Sequence, residues 1–264
     1  MTRLLAGKIL AVVLLLAIGA WLFLPRVIVD AYEDLRYAID PTPVRAFNLG
    51  EKYFNAIDPQ NYDIARAEYF FNEAAKDQSL PYVNHELARI AFLKGDFDLA
   101  LSRINLQISL QGTSTPNSYY IRGLIQGFRG EYEASARDYE IYLRTDPRNW
   151  AAINDYAWVL LKDRRYKEAL IAVDWGLIYW PENPWLNNSR ATALFELGRV
   201  EEALDAVQVA SGKVANLSNM DWLTAYPGND PLIAPEGIMA FKTAVEENMH
   251  TISVAVENAR QDVR

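Results

Sequence analysis

The chain of 264 residues has no cysteine and only two histidines. The lack of thiols excludes disulfide staples, thiolate metal sites and a cysteine nucleophile, and it is compatible with any redox compartment. His85 has Glu86 beside it but no second ligand at helical spacing, so it reads as an ordinary groove or surface residue, and no metal is expected. Basic residues are scarce as well. Lys and Arg total 26 against 34 Asp and Glu, for a net charge of −8. That balance argues against nucleic acid as a partner, because phosphate binding needs clustered cations. No phosphate loop, hydrolase elbow or dinucleotide fingerprint occurs. The acidic pairs Glu201-Glu202 and Glu246-Glu247 fall on expected solvated faces, without the spacing of a two-carboxylate pocket. The expectation is therefore no catalytic residue, no cofactor and no enzymatic activity.

Residues 9–24, "ILAVVLLLAIGAWLFL", lack charge altogether. At ~1.5 Å rise per residue this run and its flanks span a ~30 Å hydrocarbon core. It is longer than a usual signal-peptide core, although the small residues of "AIGA" at 17–20 keep cleavage as the rival reading. Arg3 and Lys8 place the N-terminus in the cytoplasm under the positive-inside rule. The bulk of the chain is then extracytoplasmic, periplasmic or on the cell surface. With Arg3 and Lys8 set aside, 24 basic residues face 34 acidic ones, and an acidic body stands off an anionic lipid surface.

Hydrophobic residues make up 51% of the sequence, a globular composition, and they are periodic. "TDPRN" at 145–149 is answered by "YWPEN" at 179–183, so that Pro147 and Pro181 lie 34 residues apart. Small residues recur at Ala88, Gly123, Ala157 and Ala191, and again at Ala100, Ser135, Ala169 and Ala203. Phe97, Tyr132, Tyr166 and Val200 keep the same step, as do Gly95, Gly130 and Gly198, with Arg164 in the glycine column. Each unit reads as two amphipathic helices, "WAAINDYAWVLLK" and "YKEALIAVDWGLIY" in one of them. Pro147 and Pro181 stop the second helix, Asn149 and Asn183 cap the next, and Thr115-Pro116 is expected to do the same.

This pattern resembles the tetratricopeptide repeat, strongly over residues 81–211. Leu49, Gly50 and Tyr53 extend it to an earlier unit whose inter-helix turn is several residues too long. The "AEYFFNEAA" of that unit fits a Sel1-like variant equally well. The implied fold is all-α: a right-handed α-solenoid of stacked helix–turn–helix repeats, preceded by one transmembrane helix and closed by a long C-terminal helix. The expected divisions are a cytoplasmic tip and signal anchor at 1–29, a juxtamembrane linker at 30–42 and the solenoid at 43–211. Its units fall near 43–77, 81–114, 116–149, 150–183 and 184–211, and a long loop and capping helix occupy 212–264. In that last helix Ile238, Phe241, Val245, Met249, Ile252 and Val256 form one stripe. The stripe suits a cap on the last repeat or, alternatively, an oligomer contact.

The resemblance implies a concave groove lined by first helices, and helical spacing selects its residues. They are Tyr82, His85 and Arg89, then Asn117, Tyr120 and Leu124, then Ala151, Asn154 and Trp158, and finally Trp185, Asn188 and Thr192. Aromatics and amides suit a peptide or helix of another protein, although Trp158 and Trp185 fit equally well as filling between units. Arg89 is the only cation among these positions, so a basic clamp on a partner's C-terminal carboxylate is not expected. The expected function is a membrane-anchored protein-interaction scaffold or adaptor, in a bacterial envelope assembly. The alternatives are a structural subunit using its convex face or C-terminal helix, and a carbohydrate-binding or glycan-processing protein using the Trp-rich stretch at 150–185.

Overall fold

The computed structural model describes residues 31–225 and 230–262. The expected anchor at 9–24 lies outside the described residues. Among those described, no helix is long and apolar enough to cross a membrane and no strand occurs. Helices pair in chain order. The first pair is α1 (Pro43–Tyr53) with α2 (Ile64–Ala74), and the second is α3 (Val83–Leu93) with α4 (Phe97–Gln111). Then follow α5 (Asn117–Phe128) with α6 (Tyr132–Leu143), α7 (Trp150–Lys162) with α8 (Tyr166–Tyr179), and α9 (Pro184–Glu196) with α10 (Val200–Val214). A short α11 (Asn219–Ala225) and a long α12 (Ala234–Asp262) complete the described chain.

Local chemistry sets the helix ends. Asn149 Oδ1 accepts from the Ala152 amide at 3.0 Å, and Asn183 Oδ1 accepts from that of Leu186 at 3.0 Å, so both asparagines cap as their spacing predicts. Thr115 departs from that expectation. Its hydroxyl turns back to donate to the Gly112 carbonyl at 3.5 Å, because a 3₁₀ turn over Gly112–Ser114 tightens the approach to α5. In the turns inside the last four pairs the column residue is left-handed: Gly95 at φ 76°, Gly130 at 79°, Arg164 at 58° and Gly198 at 75°. Arg164 adopts the glycine geometry despite its Cβ.

The small columns form the seams. Ala88, Ala100, Ala157, Ala169, Ala191 and Ala203 are fully buried. At Gly123 an added Cβ would meet Tyr139 Cε2 at 3.2 Å and the Ser135 carbonyl at 3.3 Å, while Ser135 Oγ donates to the Gly123 carbonyl at 2.5 Å. Fully buried Ile153, Leu160, Leu186 and Leu194 fill the core between the fourth and fifth pairs, each contributing about 1.5–3 kcal/mol.

Two segments differ from their sequence reading. Residues 31–39, expected as part of a linker, are helical and pinned to the first repeat. Asp34 accepts from Lys52 Nζ at 2.8 Å, from the Tyr53 hydroxyl at 2.8 Å and from Arg66 Nη2 at 3.1 Å. Burial opposes the Asp34 charge, but those hydrogen bonds and the charges of Lys52 and Arg66 outweigh it and hold the carboxyl below its usual range. The stretch after residue 211, expected as loop, contains the end of α10 and all of α11. The stripe on α12 faces the last repeat: Val245, Ile252 and Val256 are buried, and Phe241 and Met249 pack beside them. Lys242 lies by Ala215 and Arg260 pairs with Glu201, so α12 runs antiparallel to α10, as the first helix of a further repeat would.

Candidate partner-binding groove

First helices and inter-repeat turns together build a cavity of about 510 Å³. From α3 come His85 and Arg89, and from α5 come Asn117, Tyr120 and Ile121. The turn before α7 adds Asp146, Arg148 and Asn149, with Trp150 and Trp180 beside them. Thr224 and Ala225 of α11 close one side. Five residues chosen by helical spacing therefore meet here: His85, Arg89, Asn117, Tyr120 and Ala151. Tyr82 stands next to them, its ring edge-on to His85 at 5.4 Å.

The other expected groove residues are turned towards their own chain or sit apart. Asn154 accepts from Ser189 Oγ at 2.9 Å, tying the fourth repeat to the fifth. Trp158 lies against Gly127 and 5.5 Å from the Phe128 ring, filling space between repeats. Leu124 is half-buried outside the cavity lining. Trp185 is only 6% exposed, stacked on Phe241 at 4.9 Å, with Trp150 at 5.0 Å. Asn248 Nδ2 donates to Asn188 Oδ1 at 2.9 Å and reaches Thr192 Oγ1 at 3.4 Å. Where α12 takes the place of a further repeat, the groove positions of the fifth unit become a seam.

Electrostatics sets the tone of the second repeat. His85 is buried, with its Nδ1 3.1 Å from Ser118 Oγ, rather than lying on the surface. Loss of water and the nearby Arg89 charge push its pKa down to about 3, so the ring is neutral. Burial raises the pKa of Glu86, whose carboxylate Arg89 Nη1 meets with a hydrogen bond. Glu51 keeps contact with solvent along its length. Desolvation of its carboxyl, then repulsion from Glu86, push it up to about 7 against the pull of Arg89. No group of His, Asp and Glu that would hold a metal occurs among the described residues. Arg148, Asp146 and the two tryptophans escape a search along first helices because they lie in or beside inter-repeat turns. Arg148 makes a second cation at the cavity, its guanidinium 4.6 Å from the Tyr179 ring centre.

The family model described as tetratricopeptide repeat matches residues 96–228, half of the chain. The chain belongs to the tetratricopeptide repeat family. Its repeats are those of a protein–protein interaction scaffold, and its partners as a class are proteins. Among solved structures, a MamA protein aligns with a TM-score of 0.56 at 16% identity, covering 67% of this chain and 96% of that one. MamA of AMB-1 aligns at 0.54 and 15%, covering 69% and 96%. MamA of MSR-1 aligns at 0.53 and 16%, covering 64% and 95%. At this identity the likeness is one of fold. Curated proteins gave no sequence match.

Proposed function

We propose that the chain is a membrane-anchored adaptor that holds a segment of another protein in its concave groove, at the face of a bacterial envelope assembly. The observation behind this reading is the cavity of about 510 Å³ in which α3, α5 and the turn before α7 converge. Its lining mixes aromatic rings, amides and two guanidinium groups, a composition suited to peptide backbone and side chains together. The uncharged run at 9–24 supports anchoring, with the repeats outside the cytoplasm. Anchoring raises the local concentration of what is captured, and the groove binds without doing chemistry.

Affinity capture from detergent extracts tests this reading, with the wild type compared with Asn117→Ala/Arg148→Ala. Both residues are exposed at the cavity, so the fold should survive. The double variant should lose a protein that the wild type retains; an unchanged set of captured proteins would refute the groove.

A second reading rests on the outer face of α8. Ile171 and Ile178 are 70% and 67% exposed, with Trp175 between them in sequence and 47% exposed. The Trp175 indole nitrogen donates to the carbonyl of Pro147 at 3.0 Å, which holds the half-exposed ring in place on that face. An apolar patch of that kind suits burial in a larger complex. Ile171→Asp would then abolish capture, whereas Asn117→Ala/Arg148→Ala would leave it intact.

A further inference from the structure

The concave side is not empty. Thr224 of α11 lines both the cavity described above and a second one of about 610 Å³ that contains Asn48, Glu51, Phe54 and Asn55. Leu223 is buried with Ala56 and Ala234, against Tyr62 and Trp222. The segment following the last repeat has thus returned across the groove to the long turn of the first. That turn, residues 54–63, is the irregularity that set the first repeat apart in sequence.

How α11 is held matters. Its seven residues are far too few to be helical unaided, since isolated helices shorter than about 12–15 residues are marginal. Asp221 and Thr224 bond within the segment: the Ser218 hydroxyl donates to Asp221 Oδ2 at 2.6 Å, and Thr224 Oγ1 to the Met220 carbonyl at 2.9 Å. What seats it is apolar, namely Leu223 on the first repeat and the Trp222 ring against Gly237 of α12, where a Cβ would meet the indole at 2.6 Å. The fit is incomplete. The Tyr62 hydroxyl, at the same contact, is buried without a hydrogen-bond partner among the described residues, a loss that a better-matched occupant would recover.

The geometry points to α11 as a built-in occupant of the groove, standing in for a partner segment of the same chemistry. That segment is a short amphipathic helix whose bulky apolar residue takes the place of Leu223 against Ala56 and Tyr62. This rests on the concave face being the partner surface, and it adds both a ligand class and a control. The partner competes with a tethered rival, so its apparent affinity falls by the fraction of molecules in which α11 is seated. Once α11 leaves, the two flanking cavities join, which leaves room for a longer peptide.

The probe is a fluorescein-labelled peptide of residues 216–225, "NLSNMDWLTA", titrated by anisotropy against the full chain in detergent. Leu223→Asp should bind it at least ten-fold tighter than wild type, with Leu223→Ala between the two, and the peptide carrying the same Leu→Asp change should not bind. Leu223→Ala decides the matter if Leu223→Asp fails to melt cooperatively. Equal binding to wild type and variants would overturn the built-in occupant and leave the groove reading standing. No binding to folded variants would overturn the proposed ligand class, while capture by the Asn117 and Arg148 surface is judged separately. A wild-type dimer that the peptide dissociates would put a second copy in the partner's place, and would overturn the proposal as stated.

Discussion

Arg164 stands in a column whose other members are glycines and shares their left-handed backbone, at φ 58°. A side chain in that region costs roughly 1 kcal/mol relative to glycine. Arg164→Gly should therefore raise stability by about 1 kcal/mol, seen as a rise of roughly 2–4 °C in melting temperature; no gain would mean that the arginine is compensated. Gly123→Leu has the opposite sign. The side chain would run into Tyr139 and the Ser135 backbone, and overpacking of this kind costs about 1–3 kcal/mol. A melt indistinguishable from wild type would count against close stacking at that seam. Buried His85 and partly desolvated Glu51 give a pH dependence with two opposed limbs. His85, lowered from 6.5 to about 3, contributes fully above its unfolded value and loses that contribution as pH falls towards 3. Glu51, raised from 4.5 to about 7, contributes fully below 4.5 and loses it as pH rises through 7. Glu51→Gln should therefore gain on the wild type between about pH 4.5 and 7.5 in paired melts, and parallel curves would refute the raised value. The column residues were legible in sequence because spacing alone identifies them. The burial of His85 was not, because Gln107 and Ser118, which cover it, come from α4 and α5.

At the scale of elements, α7 and α8 have the ends their sequences suggest, because caps and turn residues act within a few positions of the backbone they satisfy. α12 was legible as an apolar stripe, yet its role depends on what lies opposite, which no local pattern contains. In the structure that is the last repeat, whose core would otherwise be open to water. Ile252→Ala, at a buried position on that contact, should cost about 2–5 kcal/mol in denaturant unfolding, and a near-neutral result would show that α12 does not cap. α11 was hidden for a related reason. Met220, Trp222, Leu223 and Ala225 form too short a run to show a period, and the surface that orders them belongs to the opposite end of the solenoid. The segment 31–39 reads as linker in sequence because "DPTP" at 40–43 marks a break. The break is real, but the segment before it folds back through Asp34.

For the whole molecule, repeats that cannot bury their apolar faces singly stack, and stacking creates a concave side. The chain's own tail then claims part of that side: α12 seals the last repeat, and α11 crosses to the first. What remains open is the cavity around Asn117 and Arg148, the surface proposed to meet partners. Photo-crosslinking in whole cells tests this most directly, with a photoreactive residue placed at position 117 in one variant and at position 171, on the outer face of α8, in another. A groove that meets partners gives a discrete protein adduct from position 117 that is absent from position 171. Adducts from 171 with none from 117 would contradict it and assign binding to the convex face.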